Sequence, residues 1–117
     1  MKFTYLLMEH NNNLVRASLD GNILLVKDAL KKGADNYDTP MALAARGGHI
    51  DIVQLLLEKG ANSYSWSLSE AAFNGHIDIV RLMLESGAKN HDVHEYTQNK
   101  DILSLVKQCK DGKVKIN

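Results

Sequence analysis

Apolar residues recur along this chain with a helical period, in short runs that end at glycine. Between His49 and Lys59, the residues Ile50, Val53, Leu56 and Leu57 fall at i, i+3, i+6 and i+7, one stripe of an α-helix. Asp51 in the first turn and Lys59 in the last each lie at the end of the helix dipole that favours their charge, and Gly60 is the residue expected to close the helix with left-handed backbone. A shorter helix is predicted upstream. Thr39 can cap it and Pro40 suits its first position, where a missing N–H costs nothing; Met41, Leu43, Ala44 and Ala45 follow, and Gly47-Gly48 ends it. The small Ala44-Ala45 pair leaves room for another helix to approach closely.

The same pattern returns at a fixed interval. Gly48-His49-Ile50-Asp51-Ile52-Val53 recurs letter for letter as Gly75-His76-Ile77-Asp78-Ile79-Val80, 27 residues on, and Gly21-Asn22-Ile23-Leu24-Leu25-Val26 is a looser copy 27 residues upstream. The closing glycines fall at 33, 60 and 87 with the same spacing. Self-similarity at one period marks a solenoid, in which each unit buries its apolar face against the next. The expected architecture is a single all-α domain over residues 1–117, a solenoid of about four helix pairs. Residues 1–11 would form an N-terminal capping helix, 12–38, 39–65 and 66–92 the repeats, 93–112 a degenerate capping repeat with Val93 to Gln98 and Asp101 to Val106 as its two segments, and 113–117 a tail.

Composition narrows the function. With 14 basic and 14 acidic residues the net charge is zero, so no electrostatic footprint for nucleic acid or anionic lipid is present. Cys109 is the one cysteine, which rules out an internal disulfide and fits a reducing compartment. No membrane span or signal peptide is read, and a cytoplasmic or nuclear location is expected.

The run from Thr39-Pro40-Met41-Ala42-Leu43-Ala44-Ala45 through Gly47-Gly48-His49-Ile50-Asp51-Ile52-Val53 to Leu55-Leu56-Leu57-Glu58-Lys59-Gly60-Ala61-Asn62 resembles the ankyrin repeat, and the resemblance covers roughly residues 12 to 112. Two departures stand out. The family's Thr-Pro-Leu-His signature survives only as Thr39-Pro40-Met41-Ala42, so its Thr–His hydrogen bond cannot form. The usual period is about 33 residues, and the six missing here all fall between the Gly-Ala pair and the next short helix. Only Asp35-Asn36-Tyr37-Asp38 separate Ala34 from Thr39, too few for the family's projecting β-hairpin. Short units of this style are similar to those in arrays encoded by giant DNA viruses of amoebae, which would place the protein in a host cytoplasm.

Candidate sites can be weighed individually. His49 and His76 lie one unit apart, roughly 10 Å in stacked helices, whereas Zn–N bonds are about 2 Å, so one metal cannot hold both. The resemblance makes them structural, each bonding backbone at the start of its outer helix. His91 and His94 stand at i, i+3 without a completing ligand set. Cys109 aligns with Leu84 and reads as a small buried hydrophobe. Asp51 and Asp78 are dipole partners, one unit apart, not a catalytic pair. No catalytic, cofactor or metal site is expected. Tyr37, Tyr64 and His91 form a ladder at 27-residue spacing, with Asp38, Ser65 and Asp92 beside them and Trp66 next to Ser65; they either anchor a partner or fold down into the space the hairpin would cover. In the family, the two residues before the Gly-His pair face the concave side; here these are Leu19 and Asp20, Arg46 and Gly47, Phe73 and Asn74. The expected function is therefore a protein–protein interaction scaffold or adaptor, monomeric, binding a protein through Leu19, Asp20, Tyr37, Asp38, Arg46, Tyr64, Ser65, Phe73 and Asn74. A structural piece of a longer array, or an inhibitor that occludes an enzyme, are the alternatives.

Overall fold

The computed structural model describes residues 2–89 and 97–110 of the chain. Among them are seven helices and no strand: α1 (Lys2–Asp20), α2 (Ile23–Lys31), α3 (Asp38–Gly47), α4 (Ile50–Glu58), α5 (Tyr64–Phe73), α6 (Ile77–Ser86) and α7 (Lys100–Lys110). The all-α solenoid read from the sequence is the fold. The Val93–Tyr96 part of the fourth unit's first segment, with His91, Asp92 and His94, lies outside the described residues, as do residues 111–117.

Local chemistry accounts for the boundaries. Lys2–Asp20 contains neither glycine nor proline, so the short N-terminal helix and the first inner helix of the sequence reading are one unbroken element of 19 residues. The start of α3 differs by two positions from expectation. Tyr37 is its N-cap, with the Met41 N–H donating to the Tyr37 carbonyl at 3.0 Å, so Thr39 lies inside the helix and makes no cap. Pro40 remains in the first turn, where an N–H would have no helical partner. Asp51 and Asp78 act within their first turns, each carboxylate accepting from the next backbone N–H at 2.9 Å.

The helices form two layers. The second half of α1, α3 and α5 make the inner layer; α2, α4 and α6 make the outer one, and α7 packs against α6. The 27-residue period becomes a packing register. Leu14, Met41 and Leu68 are wholly buried at one inner position, and Val26, Val53 and Val80 at one outer position. Ala17, Ala44 and Ala71 are buried at one inner position, where their small methyl side chains allow neighbouring helices to approach. Inner helices pack closely while successive outer helices barely touch. In α4 the buried stripe is Ile52, Val53 and Leu56, with Ile50 and Leu57 half-buried. It is rotated from the sequence expectation because an outer helix is covered chiefly by its own inner helix, with smaller contacts to the outer helices on both sides. Met41 and Met83 fill the core completely buried.

No strand occurs between Gly60 and Ser67; Ala61, Asn62 and Ser63 lead straight into α5. Side chains hold these short loops instead. The Asn11 Oδ1 accepts from the backbone N–H groups of Asp35 at 2.8 Å and Asn36 at 3.1 Å, while its Nδ2 donates to Asp35 Oδ1 at 3.1 Å. One unit later, Asp38 Oδ1 accepts from the Asn62 N–H at 2.8 Å, and the Ser63 hydroxyl donates to the Asp38 carbonyl at 2.9 Å. Asn11 and Asp38 are themselves 27 apart, so the latch recurs at the same register position in two successive units.

Candidate functional site

The inner-helix ends are fixed by the histidines of the repeated motif. Each stands at the N-cap of an outer helix without capping it, and its ring crosses to the preceding unit: His49 Nε2 lies 3.1 Å from the Leu19 carbonyl and His76 Nε2 3.1 Å from the Arg46 carbonyl. A carbonyl only accepts, so Nε2 carries the proton in both. The equivalent Asn22 caps its own helix, accepting from the Leu25 N–H at 3.1 Å. Gly48 is required by this contact twice over. Its φ of 78° is left-handed, and a Cβ there would sit 2.7 Å from the His76 ring.

Leu19, Arg46 and Phe73 therefore occupy one register position, at or next to the last residue of α1, α3 and α5. All are exposed, Leu19 by 40% and Phe73 by 70%, and Asp20 and Asn74 are exposed beside them. Arg46 is held by a partner in the next unit. Its Nε donates to Glu70 Oε2 at 2.8 Å and its Nη2 to Glu70 Oε1 at 3.3 Å, a forked pair across the unit boundary. The guanidinium holds the Glu70 carboxyl below its ordinary range, against a smaller opposing effect of burial, with a minor pull from Trp66 in the same direction as Arg46. Arg46, Ser69, Glu70, Phe73 and Asn74 line a shallow depression of about 370 Å³.

Glu70 went unnoticed in the sequence, although a signal exists. Leu43 and Glu70 are 27 apart, as are Leu19 and Arg46, so an apolar Leu19–Leu43 register in one unit becomes an ionic Arg46–Glu70 register in the next. Asn11 was missed for a similar reason: its partners lie a full unit away.

The loop residues have other surroundings. Tyr37 and Tyr64 are half-buried and pack against the core. Asp38 is committed to the loop latch, and the half-buried Ser65 is also engaged. Trp66 is 44% exposed, beside Glu70. Cys109 is half-buried against the core; burial raises its thiol pKa and the nearby Glu85 adds to this, with Arg81 opposing. Among the described residues no group of three or more His, Cys, Asp or Glu is placed to hold a metal ion. None of the described helices is long and apolar enough to cross a membrane.

No curated protein matches this chain significantly. A family model does: the one described as ankyrin repeats (3 copies) matches residues 14–94. That span begins in the inner half of α1 and takes in the three helix pairs whose register, closing glycines and cross-unit histidines are described above. On this match the chain belongs to the ankyrin-repeat family.

Proposed function

We propose that the chain is a protein-binding scaffold whose partner sits on the ends of the inner helices, against Leu19, Asp20, Arg46, Phe73 and Asn74. Ankyrin repeats are in general protein–protein interaction modules, and the observation that supports this placement is Phe73. It is a large aromatic side chain, 70% exposed, beside a depression whose wall is the Arg46–Glu70 pair. An exposed ring of this size on a rigid element offers contact area at little entropic cost, the property of interface anchors. Arg46 uses two of its five N–H donors on Glu70. The rest remain free on a guanidinium whose charge is already balanced, which suits backbone or side-chain carbonyls of a partner better than a carboxylate.

Tyr37, Asp38, Tyr64 and Ser65 stand at the opposite, N-terminal ends of α3 and α5, where the tyrosines pack against the core and Asp38 holds the following loop, so in this reading they support the scaffold rather than touch the partner. The scaffold presents a partner without chemistry of its own. Replacing Phe73 by a photoreactive benzoylphenylalanine, and in parallel replacing the outer-face Gln54, tests the placement in lysate of the source organism. A crosslinked partner at position 73 and none at 54 supports it; equal crosslinking at both, or crosslinking only at 54, overturns it.

A further inference from the structure

Four of the exposed large hydrophobic side chains lie within six residues of one another in α1: Phe3 at 82%, Tyr5 at 63%, Leu6 at 48% and Met8 at 54%. The reason is geometric. α1 has 19 residues and the inner helices α3 and α5 have ten each. Asn11 stands in register with Asp38, the first residue of α3, so the helix before Asn11 runs on beyond the inner layer for about 13 Å at 1.5 Å per residue. One side of this projection is anchored: Leu7 and His10 are half-buried and, with Phe3 and Leu6, line a groove against Lys32 and Gly33.

The adjoining face, which shares Leu6 with the groove, is open to solvent and has a specific pattern. Lys2, Tyr5, Leu6 and Glu9 stand at i, i+3, i+4 and i+7, so they share one face, and all four are exposed. Neither Lys2 nor Glu9 has an ion-pair partner among the described residues. Opposite charges two turns apart, with an aromatic and an aliphatic residue between them, make this face its own complement. Laid antiparallel on a second copy about a twofold axis, Lys2 faces the second copy's Glu9, Glu9 faces its Lys2, and Tyr5 faces its Leu6. A parallel arrangement would set like charges against each other.

We propose that two copies of the chain associate through this face of α1, antiparallel about a twofold axis. This differs from the monomer expected from the sequence, and it leaves the inner-helix ends of both copies open to the partner. The contact involves few residues per copy and is smaller than the standard interface of about 1,600 Å², so the dimer forms reversibly with concentration.

Sedimentation equilibrium of the full chain, from dilute solution into the millimolar range, reads the association. The wild-type mass is expected to rise from one chain toward two. Lys2→Glu makes the face wholly acidic and Glu9→Lys wholly basic, and each should weaken association roughly tenfold or more, since like charges then oppose across the axis. Both positions are exposed, and unchanged helical circular dichroism shows that the fold is intact. An equimolar mixture of the two single variants should regain the dimer, as should the double exchange Lys2→Glu with Glu9→Lys. A wild-type chain that stays monomeric into the millimolar range overturns the proposal. So do single variants that dimerise as well as the wild type, or a mixture that fails to regain what the single variants lose.

Discussion

The Arg46 guanidinium grips both carboxylate oxygens of Glu70, at 2.8 Å and 3.3 Å, and so ties the end of α3 to the middle of α5. Because this contact lowers the Glu70 pKa, it stabilises the fold fully above the unfolded carboxylate value of about 4.3 and is lost as pH falls through the lower folded value. The stability difference between wild type and Glu70→Gln, from urea unfolding, is expected to be constant near neutral pH and to shrink below about pH 4.3. Arg46 is about half exposed, so a double-mutant cycle should give only about 0.5–1 kcal/mol, falling with salt. A difference that grows on acidification contradicts this assignment.

The histidine bridges make a sharper test of the stacking. His76→Ala removes one cross-unit hydrogen bond and should cost about 1 kcal/mol. Gly48→Ala should cost more, because it combines left-handed backbone with a Cβ pressed into the His76 ring. In the His76→Ala background that second penalty should fall, since the obstructing ring is gone. Additive losses in denaturant unfolding would show that Gly48 is needed for its backbone alone.

Asp38 should behave as a loop latch. Asp38→Ala leaves the Asn62 N–H without its acceptor and is expected to cost about 1 kcal/mol, whereas Asp38→Asn keeps an oxygen there and should cost less. Amide hydrogen exchange at Asn62 reads the effect locally: faster in Asp38→Ala and nearly unchanged in Asp38→Asn.

One substitution should stabilise. Ser18 is wholly buried and its hydroxyl has no hydrogen-bond partner among the described residues, while the register positions Ala45 and Ala72 are equally buried alanines. Ser18→Ala removes an unsatisfied polar group and improves helix propensity, so the unfolding free energy should rise by about 0.5–1 kcal/mol. A loss of stability on thermal or urea unfolding would mean that the hydroxyl is satisfied in solution.

Much of this was legible in the chain, and the part that was not has a common cause. The repeated Gly-His-Ile-Asp-Ile-Val run, the spaced glycines and the shortened Ala34-to-Thr39 segment announce stacked helix pairs without hairpins, because each is a local property of a few neighbouring residues. Features that depend on the neighbouring unit were hidden: the His76 ring reaching the Arg46 carbonyl, Asn11 and Asp38 holding the following loop, and Glu70 opposite Arg46. The rotated stripe in α4, with Ile52 buried and Ile50 half-buried, has the same origin. The unbroken α1 was hidden differently. The polar run His10-Asn11-Asn12-Asn13 reads as a boundary, yet it contains nothing that stops a helix, and Asn11 faces a loop that needs its amide.

The placement of the partner on the inner-helix ends is tested most directly by quantitative capture with three baits: the wild type, Arg46→Glu with Phe73→Ala, and a control altered on the outer face, Gln54→Glu with Arg81→Glu. Unchanged helical circular dichroism of all three ensures that only the surfaces differ. The inner-face double variant is expected to lose the proteins that the wild type recovers from the native cell, and the outer-face control is expected to keep them. Recovery of the same proteins at equal yield by wild type and inner-face variant, or their loss only in the outer-face control, contradicts the placement.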